Sequence, residues 1–383
     1  MKRESWVPCI ALATSTFIFH TSEFVPVALL TDIADAFGAT EAQVGMIISV
    51  YAWVVGLMSL PLMVAVAKMD WRKIMLWVLG LFSLFQLASA LAPTYGALIC
   101  ARVGVACCHA VFWGIVPPYA VATAPQGGSA KALSFIITGS SIGTILGLPL
   151  GRMVGLWLSW RATFAAVAAV SALVTIACFI YLPRHRSSEE FSLRDVPHML
   201  TNPMVMRIYV FILAIVTSYF MIYSYIEPFL AQVAQMSAMM ITLTLSLMGA
   251  AGIVAGWAFA RWFAGWPRWF FTGAPIAIAI YGLAINALAP WAIGVMVFCF
   301  FGSMGCTCFN LGCQDMLIKR GPQPSTIPVA TYSGIFNIGI GSGALLGGLV
   351  ATHLGLGWIG VLAFLPAILG VLLSLPLTRY ARA

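Results

Sequence analysis

The sequence predicts an all-α membrane protein of twelve transmembrane helices, arranged as two six-helix, pseudo-symmetric bundles. Three observations carry this. Of the 383 residues, 62% are hydrophobic and only 8% are charged, where a soluble domain carries about 25% charged residues. Mean hydropathy is +1.00 over the whole chain and not in one segment, and a helix is the element that satisfies its own backbone groups in lipid. Windows of about 20 apolar residues, the length needed to cross the hydrocarbon core, fit twelve times.

In chain order the spans fall at 6–30, 42–66, 74–92, 95–118, 131–154, 160–183, 206–231, 239–263, 269–289, 291–316, 327–352 and 357–378. The first is longer than a signal-peptide core and is interrupted by His20 and Glu23, so it reads as a retained helix. Orientation follows from the 19 lysines and arginines. With the N-terminus inside, sixteen of them, among them Lys68, Arg72, Lys73, Lys131, Arg207, Arg261 and Arg268, fall on cytoplasmic segments. Only Arg152 and Arg161 lie near outside loops, and Arg102 lies within the membrane. The positive-inside rule then places both termini in the cytoplasm. The net charge of +8 is thereby a membrane property and does not call for a nucleic-acid partner.

The longest polar interval, PRHRSSEEFSLRDVPHMLTNP at 183–203, separates six spans from six. The expected organisation is an N-terminal bundle over 1–183, a cytoplasmic linker over 184–205 with a short interfacial helix near 191–200, and a C-terminal bundle over 206–383. The halves echo each other. The fifth span has Gly139, Gly143, Gly147, Gly151 and Gly155 around Pro149, and the eleventh has Gly339, Gly343 and Gly347. Four-residue spacing makes a smooth ridge that lets a second helix approach closely. Gly128, in the loop before the fifth span, is expected to have no such neighbour. Each half also opens with an acid beside a proline in its first helix, Glu23 with Pro26 and Glu227 with Pro228.

The stretch RVGVACCHAVFW at 102–113 concentrates the polar chemistry. Arg102 and His109 are two helical turns apart on one face, about 10 Å along the axis, and Trp113 falls on the same stripe. An arginine facing lipid at mid-helix costs on the order of 3 kcal/mol, so that stripe faces protein or water. No metal site is expected. Cys306, Cys308 and Cys313 lack an accompanying histidine or a Cys-x-x-Cys pair, and thiols in apolar segments pack as small hydrophobes. An integral-membrane enzyme is the main reading of another class. Ser22 and Glu23 lie near His20, but a helix interior has no free backbone amides for an oxyanion site.

Several stretches carry a family resemblance: SEFVPVALLTDIADAFGAT (22–40), AQVGMIISVYAWVVGLMSLPLM (42–63), the 102–113 stretch, LGLPLGRMVG (146–155), WRATF (160–164), YSYIEPF (223–229) and SGIFNIGIGSGALLGG (333–348). Together with the parallel repeat of the two halves, they resemble the major facilitator superfamily, and within it the drug/proton antiporters and their sugar efflux transporter branch. The resemblance implies a multi-pass protein of the bacterial inner membrane that exports small sugars or sugar-like compounds, such as arabinose and thiogalactosides, in exchange for protons. The alternative is a multidrug/proton antiporter for small amphipathic drugs. A monomer without cofactors is expected, with a small molecule, the proton and the bilayer as its partners. The chain departs from the family pattern in two places. In the loop after the second helix, usually G-x-x-x-D-x-x-G-R-K, Arg72 and Lys73 keep the basic end. Lys68 stands at the aspartate's place, Trp71 replaces the glycine and Asp70 is displaced. The fifth-helix motif, usually G-P-x-x-G-G, reads Gly147-Leu148-Pro149-Leu150-Gly151-Arg152.

A proton-coupled exporter needs a group whose charge changes between its access states. His109 is the first candidate, since imidazole titrates near neutrality. Glu23 is the second, and Arg102 is their electrostatic partner. Counting residues from the outer surface puts Glu23 and Arg102 at one depth, with His109 deeper. Tyr51, Trp53, Trp113, Tyr223 and Tyr225 offer aromatic faces for a sugar ring, Asn310, Gln314 and Asn337 offer hydrogen bonds, and Glu227 offers a contact for a cationic drug. Gly143, Gly147, Pro149, Gly151, Gly339, Gly343, Gly347, Arg72 and Lys73 are assigned to helix packing and gating.

Overall fold

A computed structural model describes residues 5–66, 68–185, 201–320 and 326–380. All regular elements among them are helical: α1 (Val7–Ala28), α2 (Leu30–Phe37), α3 (Glu41–Val66), α4 (Trp71–Ala90), α5 (Tyr95–Thr123), α6 (Ser129–Trp157), α7 (Trp160–Tyr181), α8 (Pro203–Tyr223), α9 (Ala238–Trp262), α10 (Ala274–Ala287), α11 (Ala292–Arg320), α12 (Thr326–His353) and α13 (Ile359–Tyr380), with short turns between some of them. Among the described residues, eleven helices are long and apolar enough to cross a membrane, and twelve if α1 and α2 make one broken span. The sequence marks where several of them start. The first amides of a helix have no partner within it, and a preceding polar side chain supplies one. Asp70 accepts from the amides of Arg72 at 2.9 Å and Lys73 at 3.4 Å. Thr94, Ser159, Asn202 and Ser237 do the same for α5, α7, α8 and α9. The aspartate that departs from the family pattern is thus the N-cap of α4.

Three spans break or open irregularly near a proline, which cannot donate to the helical ladder, whereas the fourth, expected to end at 118, runs on through Pro117 and Pro118 to Thr123. The first, expected over 6–30, stops at Ala28, two residues after Pro26, and the chain turns by 63° into α2. The seventh, expected to reach 231, leaves the α-helix at Tyr223 and continues through Ile226–Pro228 into a wide turn at Phe229–Val233, closed by Ala234 N–H on the Phe229 carbonyl. The ninth opens with a similar wide turn, Trp269–Gly273, just ahead of Pro275. Most of the expected linker and its interfacial helix, residues 186–200, lie outside the described residues.

The chain forms two compact units, one of Met1–Leu29 with Leu57–Ser192, the other of Leu30–Gly56 with Leu193–Ala383. In the first, the glycines of α6 lie against α1. A Cβ on Gly143 would come within 2.9 Å of the Phe17 carbonyl, one on Gly147 within 2.9 Å of the Thr21 Cα, and one on Gly151 within 2.7 Å of Val25. The neighbours step by four residues, as the glycines do. In the second unit the same construction joins α12 to α8. A Cβ on Gly339 would meet Val216 at 2.9 Å, one on Gly343 the Thr217 carbonyl at 2.6 Å, and one on Gly347 the Met221 carbonyl at 2.7 Å. Gly128 needs correction. A Cβ there would meet the Trp6 ring at 2.6 Å and the Pro125 carbonyl at 2.9 Å, because the turn into α6 folds back under Trp6.

Arginines tie helix ends together inside the first unit. The last carbonyls of a helix lack a helical donor, and a cation there also complements the helix dipole. Arg152 donates to the Ala28 carbonyl at 2.8 Å, Arg161 to the Ala92 carbonyl at 2.8 Å, and Arg72 to the Phe179 carbonyl at 2.5 Å. Beside Arg72, the Trp71 amide donates to the His185 carbonyl at 2.8 Å and the Tyr119 hydroxyl to the Pro183 carbonyl at 2.5 Å. Lys73 is exposed, and its amide donates to Asp70.

Candidate functional site

The first unit carries a buried polar cluster between α1 and α5. Its origin is local. Pro26 has no N–H for the carbonyl of Ser22, four residues back, and Arg102 fills that vacancy. One guanidinium nitrogen donates to the Ser22 carbonyl at 3.0 Å and another to the Ser22 hydroxyl at 3.2 Å. The Gln86 amide donates to the same hydroxyl, and the guanidinium stands 5.6 Å from the Phe164 ring centre. Arg102, 2% exposed, is therefore held by α1 and α7, and Gln86 of α4 shares its Ser22 partner.

One residue on, Glu23 faces His109. The Glu23 Oε2 to His109 Nε2 distance is 3.8 Å, with side chains 10% and 3% exposed. That is an ion-pair separation, longer than a hydrogen bond. Burial penalises an isolated charge far more than a matched pair, so moving a proton to or from this couple changes its electrostatic energy strongly. Aromatic rings pack around it. Phe19 stacks between Phe82 at 4.0 Å and Phe112 at 3.8 Å. Trp113 lies 6.0 Å from both the His109 and His20 rings, and His20 Nδ1 is 3.4 Å from the Ser140 hydroxyl. The structure therefore brings Glu23, Arg102, His109 and Trp113 into one cluster, with His109 opposite Glu23 and Arg102 on the neighbouring Ser22.

The remaining candidates lie in the second unit. Glu227, 4% exposed, accepts from the Thr31 hydroxyl at 2.7 Å and the Thr31 amide at 3.3 Å, which ties it to the start of α2. Tyr225 donates to the Ala344 carbonyl at 3.0 Å, its ring beside Gly347 and Gly348. Tyr223 stacks on Tyr219 at 5.4 Å, and the Tyr219 hydroxyl pairs with Ser303 at 2.9 Å. Asn310 Oδ1 accepts from Gln314 at 3.0 Å and from Tyr332 at 2.5 Å. Asn337 donates to the Ser333 carbonyl at 3.0 Å, while its buried Oδ1 has no partner among the described residues. Tyr51 is buried, and Trp53 lies against Gly341. Sequence reasoning passed over Tyr219, Ser303, Tyr332 and Gln86. Gln86 carried a signal, as the lone side-chain amide in a run from Ile74 to Leu91 whose other polar side chains are Ser83 and Ser89.

The sequence pattern of the Major Facilitator Superfamily matches residues 12–324. The chain belongs to this superfamily. Among solved structures, it resembles a bacterial homologue of the human lysosomal transporter Spinster, described as inward-facing and unoccupied, with a TM-score of 0.77 at 14% identity over 99% of this chain and 98% of that one. It also resembles a variant of the nucleoside transporter NupG, with a TM-score of 0.76 at 13% identity over 98% of this chain and 99% of that one. At such identities the likeness is one of fold. The fold is the all-α major facilitator fold, and the superfamily is one of membrane transporters rather than enzymes.

Proposed function

We propose that this small-molecule transporter is a proton-coupled antiporter of the bacterial inner membrane, exporting small sugars or sugar-like compounds such as arabinose and thiogalactosides by alternating access. The buried Glu23–His109 pair carries the reading. It supplies two proton-accepting groups in contact, beside the fixed charge of Arg102, where a proton gained or lost must be answered by rearrangement or by charge movement. The neutral hydrogen-bonding groups of Asn310, Gln314 and Asn337 favour an uncharged, hydroxyl-rich solute. A second reading, export of small amphipathic drugs, draws on Glu227, a buried carboxyl that a cation could claim from Thr31.

Uptake into inside-out vesicles separates these readings. An acid-inside pH gradient drives accumulation of labelled arabinose or a thiogalactoside and leaves a cationic dye unaffected. Dye accumulation without sugar accumulation would move the assignment to the second reading, and no response to the gradient for any of the three would end the antiport proposal. The orientation has its own test, motivated by the placement of sixteen of 19 lysines and arginines. A small tag within 184–203 reacts only from the cytoplasmic side and one placed after Pro93 only from the periplasmic side. Periplasmic labelling of the 184–203 tag would invert the topology.

A further inference from the structure

Apart from the polar clusters, the second unit holds an apolar groove of about 650 Å³ where α9, α10 and α11 meet, a volume within the usual range for a bound small molecule. Its floor is made of small side chains, among them Ala258, Gly273, Ala277 and Gly305. Its walls are large, with Trp262, Trp266 and Trp269 at one end and Phe301 alongside. Small residues facing large ones make a trough that neighbouring helices do not fill. The turn between α9 and α10 fixes the aromatic end. The Trp266 amide donates to the Trp262 carbonyl at 2.9 Å and the Trp269 amide to the Trp266 carbonyl at 3.0 Å. Trp266 and Trp269 remain 63% and 67% exposed. Beneath the turn, Phe263 packs against Phe259 at 4.3 Å and Phe270 at 5.3 Å, which keeps the wall in place.

The groove is unsuited to a sugar, because its lining offers almost no hydrogen-bonding side chain. Charge marks one end of it. Arg261 precedes Trp262 and Arg268 precedes Trp269; both are exposed. The sequence contains no Asp or Glu between Glu227 and Asp315, so no acid on α9, on α10 or in the turn between them neutralises these two cations. Tryptophans at the headgroup level with arginines beside them are the pattern of a membrane interface, and basic residues there attract anionic lipid. We propose that this groove is a binding site for one anionic phospholipid. An acyl chain lies along Gly273, Ala277 and Gly305, the tryptophans flank the glycerol region, and the phosphate pairs with Arg261 and Arg268.

The test uses the full-length protein, purified in detergent and exposed to an equimolar mixture of phosphatidylglycerol and phosphatidylcholine, with retained lipid counted by native mass spectrometry. The wild type retains one phosphatidylglycerol, enriched on the order of tenfold over phosphatidylcholine, as two basic residues near a charged surface would give. Arg261→Gln with Arg268→Gln removes that preference and leaves chain binding, so the two lipids are then retained equally. Ala277→Phe fills the floor and reduces retention of both. If that variant does not fold, Ile280→Trp at the exposed lip narrows the same trough from outside. Equal retention of the two lipids by the wild type, or an undiminished preference in the double arginine variant, overturns the proposal, as does full retention in every groove-filling variant that folds.

Discussion

Vesicles carrying His109→Asn bind substrate but no longer accumulate it when a pH gradient is imposed. The expectation rests on the Glu23–His109 contact at 3.8 Å in a buried cluster. Asparagine keeps a hydrogen-bonding side chain of similar reach but cannot take up a proton. Gradient-driven accumulation falls by at least about tenfold, to the level seen without a gradient, because losing a group that must change charge removes the coupled step outright. Equilibrium binding changes by less than about threefold, since the neutral hydrogen-bonding groups proposed for the solute, Asn310, Gln314 and Asn337, are untouched by the substitution. Arg102→Gln differs in kind. It leaves both proton-accepting groups in place, so coupling persists with a displaced pH midpoint, as removal of a nearby charge requires. It also strips the donor from the Ser22 carbonyl, and a buried acceptor without a partner costs about 1–3 kcal/mol, so this variant unfolds at a lower temperature. Were His109→Asn vesicles still to concentrate substrate in proportion to the gradient, the histidine would have a packing role and Glu23→Gln would take its place as the decisive substitution.

The elements of this fold were legible because their signals are long or periodic. A run of about 20 apolar residues means a span wherever it occurs, and glycines every four residues mark a helix contact without naming the partner. What the sequence left open depends on rotation about helix axes and on side-chain reach. Counting residues placed Glu23 level with Arg102, and Arg102 does meet the neighbouring residue, Ser22. A guanidinium on a long stem spans more than one helical turn, however, so depth counting cannot decide which of two acids, hydroxyls or carbonyls it finds. The same limit hid the approach of His109 to Glu23. The vacancy at the Ser22 carbonyl was readable in principle, because Pro26 follows at the fourth position, but its occupant came from α5. Gly128 shows the converse error. A loop position looked free because its neighbour, Trp6, is far away in sequence.

Gly343→Leu and Gly147→Leu abolish transport, whereas Gly80→Leu in α4 does not. At Gly343 even the first added carbon would sit 2.6 Å from the Thr217 carbonyl oxygen and 3.0 Å from the Met221 amide nitrogen. These are backbone atoms of α8, so no side-chain rotation relieves the clash. At Gly147 the nearest atoms include the Thr21 Cα at 2.9 Å and its Oγ1 at 2.7 Å, and relief again requires α1 and α6 to separate. Overpacking of a tight contact typically costs 1–3 kcal/mol, and a leucine here adds three further carbons beyond the one that already collides. Because helix association in a membrane depends on close packing rather than on expulsion of water, the separated pair has little to recover from its surroundings. A Cβ on Gly80 would meet no neighbouring helix or side chain within 4 Å among the described residues, which makes it the control that Gly128 cannot be. The check is thermal unfolding in detergent alongside vesicle transport. Gly343→Leu and Gly147→Leu lower the unfolding temperature and leave under about a tenth of wild-type transport, and Gly343→Ala falls between them and the wild type. A Gly343→Leu protein as stable and as active as Gly80→Leu would mean that α8 and α12 can separate without loss, and the glycine ridge would then have no part in holding the second unit together.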